Sequence, residues 1–387
     1  MLILLSMLVG TATINVNTYI PAMPSIGLDT GASAQLVQLS LAVFMWGYAL
    51  GQLFIGPLSD RYGRRRVLLL GLSSYTVVNF ISAFAQQIEF WLIFRVAQGL
   101  IAATGPGLVR AILDARLDSV GAARTLSSML SIMALVPALA PILSGFLVEI
   151  YGWQSIFFMT SLFCFVLVIA SAVSIEESLP VASRTDGVHP FHVLQGYLKI
   201  TKVIRFWRYA FAATGMFCSM FAYNAVNSFL IINDLGIQPR YHGLSFALVA
   251  CAFIVGSILG NRLTKKFSVD AVISWGIGIA LVASALAWSV SLNNPISLAL
   301  VLIPGAVVFF ANGLALPGAL SLAIAANPNN RGSASALAGF LQIGSAGIIG
   351  SIAGQTYDHT TAPLHELMFV AAALAALGWV TFGYIKR

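Results

Sequence analysis

The chain has 387 residues, 59% of them hydrophobic and only 9% charged, with 34 glycines and a formal net charge of +7; its mean hydropathy is +0.90. A water-soluble domain carries about a quarter charged residues, so the solvent for this surface is lipid, and disordered and collagen-like classes are excluded. The basic residues are too sparse to form a phosphate-binding stripe, which excludes a nucleic-acid partner and leaves a polytopic helical membrane protein.

Runs of roughly 20 apolar residues cross a hydrocarbon core of about 30 Å. The sequence predicts twelve, at 2–24, 34–55, 67–86, 90–113, 123–149, 154–175, 207–232, 244–264, 270–290, 296–325, 332–355 and 364–385. They are continuously apolar, whereas barrel strands alternate over about ten residues, so the expected fold is all-α. The first run lacks a basic leader and reads as a retained span. Cys164, Cys218 and Cys251 lie within apolar runs with no metal-ligand spacing and read as small buried hydrophobes. No metal or cofactor is expected.

With the N-terminus on the cytoplasmic side, every basic residue falls on that side except Arg240, outside, and Arg95, within a span. The positive-inside rule therefore predicts cytoplasmic N- and C-termini, and the basic loops then face anionic headgroups. The longest hydrophilic stretch lies between the sixth and seventh spans. It predicts an N-terminal six-helix bundle over 1–175, a cytoplasmic linker over 176–206 and a C-terminal six-helix bundle over 207–387, the layout of transporters that rock two halves about a central site. A weak repeat supports the division: G-P-L-S-D-R-Y-G-R-R-R at 56–66 and S-I-L-G-N-R-L-T-K-K-F at 257–267 both follow the second span of their half.

Four segments carry a resemblance that, with the topology, covers nearly the whole chain. Tyr19-Ile20-Pro21-Ala22-Met23-Pro24 closes span 1. Gly56-Pro57-Leu58-Ser59-Asp60-Arg61-Tyr62-Gly63-Arg64-Arg65 follows span 2, Arg95 with Gln98 and Gly99 lies in span 4, and Pro137, Pro141 and Gly145 lie in span 5, with Gly152-Trp153 after them. This pattern resembles the major facilitator superfamily and, within it, the Bcr/CflA group of drug and metabolite exporters. The resemblance implies twelve helices in two pseudo-symmetric bundles, alternating access, a proton gradient as driving force and drugs such as antibiotics as cargo. It implies a bacterial inner-membrane location. The chain departs from the group where an Asp usually precedes that Tyr by two positions, here Asn17, and in span 5, where Ala140 and Ser144 replace glycines.

The residues carry their own physical reading. Asp60, Arg61, Gly63, Arg64 and Arg65, with Gly56, form a cluster able to latch one half against the other in the outward-open state. Arg95 is a charge deep in a span and must face the bundle interior and a polar partner, with Asn17 and Tyr19 its expected neighbours. Pro137 and Pro141, with Gly145, should bend span 5 as a hinge. Asn17, Tyr19, Trp46, Arg95, Gln98, Tyr223, Asn224, Asn227, Asn312 and Gln342 are the expected cavity residues, with Asn15, Tyr48 and Gln52 further polar or aromatic candidates.

All thirteen carboxylates fall at span ends or in loops, and the five histidines, His189, His192, His242, His359 and His365, also read as peripheral. Proton carriage is thereby narrowed to edge groups such as Glu149 and Asp114, or to the cargo. An interior whose fixed charge is Arg95 suits neutral or anionic cargo. No nucleophile and base, metal cluster or carboxylate pair sits within the spans, so no enzymatic activity is expected. The expected protein is a monomeric efflux transporter of small organic molecules; the alternative is a dedicated exporter of an anionic metabolite such as a carboxylate siderophore, with Arg95 engaging it.

Overall fold

The computed structural model describes residues 1–116, 135–179, 197–293, 296–327 and 331–384, together with positions 125, 129 and 133. Every regular element among them is helical. Among the described residues ten helices are long and apolar enough to cross a membrane, and Val136–Tyr151 is a shorter apolar helix. Arg64–Ser82 occupies the place of the expected third span, but its arginine-rich start lowers its apolar character.

The first span is longer than expected. Helix α1 (Leu2–Tyr19) passes through one 3-10 turn at Ile20–Ala22 into α2 (Met23–Thr30), which ends at Gly31 in the left-handed region, φ 66°. Pro21 and Pro24 sit in the first turns of their segments, where the missing N–H costs no helical hydrogen bond, so the prolines restart the helix instead of ending it. Ser33 caps α3 (Ala34–Tyr62) by accepting from the Leu36 N–H, and Pro57 is carried inside this helix. A single residue, Gly63 at φ 95°, turns the chain into α4 (Arg64–Ser82).

The fourth span is broken into α5 (Ile88–Ala102) and α6 (Thr104–Arg116). Of the fifth span the structure describes mainly α7 (Val136–Tyr151). Pro137 lies in its first turn and Pro141 within it, so Pro141 is the proline placed to perturb helical bonding and Pro137 starts the described helix. Helix α8 (Gln154–Ser174) completes the first half. The second half comprises α9 (Ile204–Ser228), prolonged by a π turn at Phe229–Asp234, then α10 (Pro239–Leu263), α11 (Val269–Ser291), α12 (Leu298–Ala325), α13 (Arg331–Thr356) and α14 (Ala362–Tyr384). Most of the expected linker lies outside the described residues.

Two seams join the halves: α3 lies on α13, and α7 lies on α10. Along the first, a β-carbon at Gly347 would sit 2.3 Å from Trp46 Cδ1, and one at Gly354 would sit 3.1 Å from the Gln35 carbonyl. The second seam is reciprocal. A β-carbon at Gly145 would fall 2.5 Å from the Pro239 carbonyl oxygen, and one at Gly243 would fall 2.3 Å from that of Pro141. Lipid supplies no hydrophobic drive between helices, so close backbone approach through small residues is what holds such seams. The α7–α10 seam lies at the face opposite the arginine cluster of α3 and α4. Cys164 and Cys218 are buried as expected, whereas Cys251 is exposed on α10.

Candidate transport site

Span 4 places Arg95 in a sealed polar centre. Arg95 is fully buried. Its Nη1 donates to Asn15 Oδ1 at 2.7 Å and to Gln98 Oε1 at 2.8 Å, and its Nε donates to the Ser40 carbonyl at 3.4 Å. The guanidinium carbon lies 4.0 Å from the Tyr19 ring centroid and 4.4 Å from that of Phe44. Among the described residues no carboxylate pairs with it, so amide oxygens and two π faces offset the charge. Nη2 has no partner.

Further hydrogen bonds fix these groups. Asn15 Nδ2 donates to Asn79 Oδ1 at 3.2 Å, and Gln98 Nε2 donates to Ser82 Oγ at 2.8 Å. The Tyr19 hydroxyl is joined to Ser40 Oγ and accepts from Trp91 Nε1 at 3.0 Å. Trp91 stands edge-on to Trp153 and Phe157, at centroid distances of 5.1 Å and 4.8 Å. Spans 1 to 4 thus meet at one charge, and span 6 walls it.

The structure therefore brings Tyr19, Arg95 and Gln98 together. It corrects one expected neighbour: Asn15 bonds Arg95, while Asn17 Nδ2 donates to the carbonyl of Thr13 on its own helix at 2.8 Å. Trp46 stands at the α3–α13 seam against Gly347. Asn79, Ser82, Ser40, Phe44 and Trp91 belong to the centre and were not singled out from the sequence. Asn79 and Ser82, a polar pair one turn apart in an otherwise apolar run, were the available signal.

In the second half, Asn227 Nδ2 donates to the Tyr223 carbonyl at 2.7 Å, and its Oδ1 lies 2.6 Å from His242 Nε2. Asn312 Nδ2 reaches Ser219 Oγ at 3.3 Å and the Val308 carbonyl at 3.0 Å. Asn312 Oδ1, Asn224 Oδ1 and the Tyr223 hydroxyl are buried without partners. Gln342 is nearly buried on α13. His242 and His365, read as peripheral, are at helix starts but fully buried.

The arginine cluster is tied to its own half. Glu177 accepts from the backbone N–H groups of Arg64 at 3.1 Å and Arg65 at 3.3 Å, so a carboxylate meets the exposed donors that open α4. Arg64 Nη1 donates to the Ala111 carbonyl, Arg65 Nε to that of Ile175 and Arg65 Nη2 to that of Ala172, each at 2.7 Å. Asp60 is exposed, 4.0 Å from Arg64 Nη2, and Arg61 lies over the Tyr62 ring. Gly56 has open space about it. The Asp114 side chain lies outside the described residues.

With this geometry in place, the comparisons define the class: the Major Facilitator Superfamily profile matches residues 5–351, and the chain belongs to that superfamily. It is a multi-pass membrane protein of a transporter family whose members bind small-molecule substrates within the membrane. It is 27% identical over 383 residues to multidrug resistance protein D of Escherichia coli (strain K12), covering 98% of this chain and 95% of that protein. It is 24% identical over 369 residues to a bicyclomycin resistance protein homolog of Haemophilus influenzae, covering 94% and 91%. The crystal structure of a bacterial homolog of the human lysosomal transporter Spinster, inward-facing and unoccupied, matches with a TM-score of 0.74 at 15% identity, covering 98% of this chain and 95% of that one. At that identity the likeness concerns the fold.

Proposed function

We propose that the chain is a proton-driven exporter of small, neutral organic molecules, antibiotics among them, working as a monomer in a bacterial inner membrane with its arginine-rich face and both termini in the cytoplasm. The observation that carries the cargo class is the sealing of Arg95. Two rings lie against the guanidinium, and its Nη1 and Nε are engaged within the first half. A buried charge so enclosed organises the helices and presents no open anion site. Amides, phenols and aromatic rings remain as the groups that can line a pocket for uncharged cargo. Drug efflux is also supported by the relatives named for multidrug and bicyclomycin resistance.

In this reading the α7–α10 seam closes the outer side, and transport requires it to part while the cytoplasmic side closes. The Asp60 and Arg64 cluster then latches the halves in the outward-open state, and Pro141 with Gly145 lets α7 move. A second reading, export of an anionic metabolite, rests on the unpartnered Nη2 of Arg95. Bicyclomycin tolerance and the acidic metabolites of the medium, compared between a deletion strain and its complemented parent, separate the two. Lost tolerance with an unchanged medium supports drug export; the reverse supports the metabolite exporter.

A further inference from the structure

Among the described residues the central polar network of the first half contains no carboxylate, and Asn17 stands where a proton-carrying Asp would be expected. A different buried titratable group lies behind the α7–α10 seam. His242, in the first turn of α10, is fully buried. The Asn227 amide donates through Nδ2 to the Tyr223 carbonyl, so its Oδ1 is the atom facing His242 Nε2 at 2.6 Å. An amide oxygen only accepts, which assigns the imidazole proton to Nε2 and leaves a lone pair on Nδ1. Nδ1 is buried with no partner.

The next residue is Gly243, pressed against the Pro141 carbonyl of the other half, and two residues earlier Arg240 pairs with Glu149 of α7 at 3.4 Å. The titratable or charged groups on the elements about this end of α10 are few. Among the described residues they are Glu149 on α7, held by Arg240; Tyr151 at the end of α7; Asp234 at the end of the π turn, held by Tyr357 and His359; Tyr223 on α9; and Tyr241 on α10 itself. Helix α12 brings none. His365, the other fully buried histidine described, starts α14, which packs on α9 and α11 of the same half. His242 is therefore the buried base beside a joint that must open.

We propose that His242 Nδ1 is the site that takes up the external proton. With the seam closed, an imidazolium there would be a desolvated charge facing no carboxylate. When α7 parts from α10, water reaches Nδ1 and solvates the charged form, while Asn227 keeps the Nε2 proton. Return to the closed state then drives the proton off Nδ1 into the space between the halves, from which it leaves when the cytoplasmic side opens. This assignment rests on the proton-driven reading above.

The test needs no cargo. Nitroxide labels at Tyr151→Cys and Tyr241→Cys, both exposed positions that flank the seam, are placed in the full chain with the exposed Cys251 changed to Ser. The distance distribution is followed from about pH 8 to about pH 5, where histidine changes charge. The parted population should rise severalfold on acidification, stay flat in His242→Gln, and rise with a displaced midpoint in Asn227→Ala. An unresponsive parent, or a His242→Gln protein that responds like it, overturns the assignment. Should His242→Gln fail to fold, an unmoved midpoint in Asn227→Ala overturns it equally. Failure to export bicyclomycin retires that cargo and leaves the distance result standing. Export undiminished by an uncoupler retires both the proton-driven reading and the role given to His242.

Discussion

Arg95 lies with its guanidinium carbon 4.0 Å from the centroid of the Tyr19 ring, and the Tyr19 hydroxyl is in turn held by Ser40 and Trp91. A cation on span 4 is thereby fixed by a ring on span 1, which is oriented from spans 2 and 4. The arrangement holds a charge in place rather than offering it to a passing molecule.

Arg95→Ala strands Asn15 Oδ1 and Gln98 Oε1 and empties a space against two rings. Each stranded buried acceptor costs about 1–3 kcal/mol, so the two should weaken the folded state by about 2–6 kcal/mol. Arg95→Lys should recover only part of this, because an ammonium cannot reproduce the planar donor fork that lies against the rings. Thermal unfolding of the purified variants in detergent checks the order wild type, Lys, Ala.

Gly243→Val drives branched carbons into the Pro141 carbonyl across the seam. Overpacking of this kind costs about 1–3 kcal/mol where the parts stay together. Since the halves can separate, the cost should appear as a parted seam and not as unfolding. Cross-linking yield between cysteines at positions 151 and 241 should fall, with Tm near that of the parent.

The Glu149–Arg240 pair spans the same seam but is partly exposed. Such pairs contribute about 0.2–1 kcal/mol, so Glu149→Gln should shift the closed-to-parted ratio by a factor of about 1.4–5. The same cross-linking measurement, repeated at low and high salt, should show the parent approaching the variant as salt rises.

Tyr357 donates to Asp234 Oδ2 at 2.5 Å, and His359 Nδ1 lies 2.8 Å from Oδ1, tying the loop before α14 to the end of the π turn. Burial, then the hydrogen bond and charge of Asp234, hold the Tyr357 phenol well above its ordinary range. A raised value means the stabilisation is complete below about pH 10, the unfolded value, and is lost as pH climbs through the folded one. Tyr357→Phe should cost about 1.5–3 kcal/mol at neutral pH and flatten the alkaline fall. Unfolding midpoints measured across alkaline pH check both.

The sequence made the helical membrane fold legible because lipid demands long apolar runs, and it exposed Arg95 because a charge in such a run has no other use. It did not show that Asn15, two positions before Asn17, meets the arginine, since a shift of two residues turns a helix by about 200° and only packing decides which face is inward. Span 1 was ended at Pro24, although first-turn prolines start helices and the helix runs on to Thr30. His242 was read as peripheral from its place at a span end. Depth along the helix says nothing about burial when a neighbouring half covers that end. The reciprocal Gly145 and Gly243 contacts were equally invisible, because each glycine is explained by a carbonyl from the other half.

Asn17→Asp would supply the acid the resembling group carries. With proton uptake at His242, the dependence of export on the proton gradient, read as the ratio of efflux rates before and after an uncoupler, should stay unchanged. A steeper dependence would place proton passage on span 1 and contradict the His242 assignment.

The central claim, proton-driven export of neutral small molecules, is tested most directly by the steady-state accumulation of bicyclomycin in cells lacking and expressing the chain. Expression should lower accumulation, and an uncoupler should abolish the difference. Equal accumulation in both strains, together with loss of an acidic metabolite from the medium of the deletion strain, would contradict it.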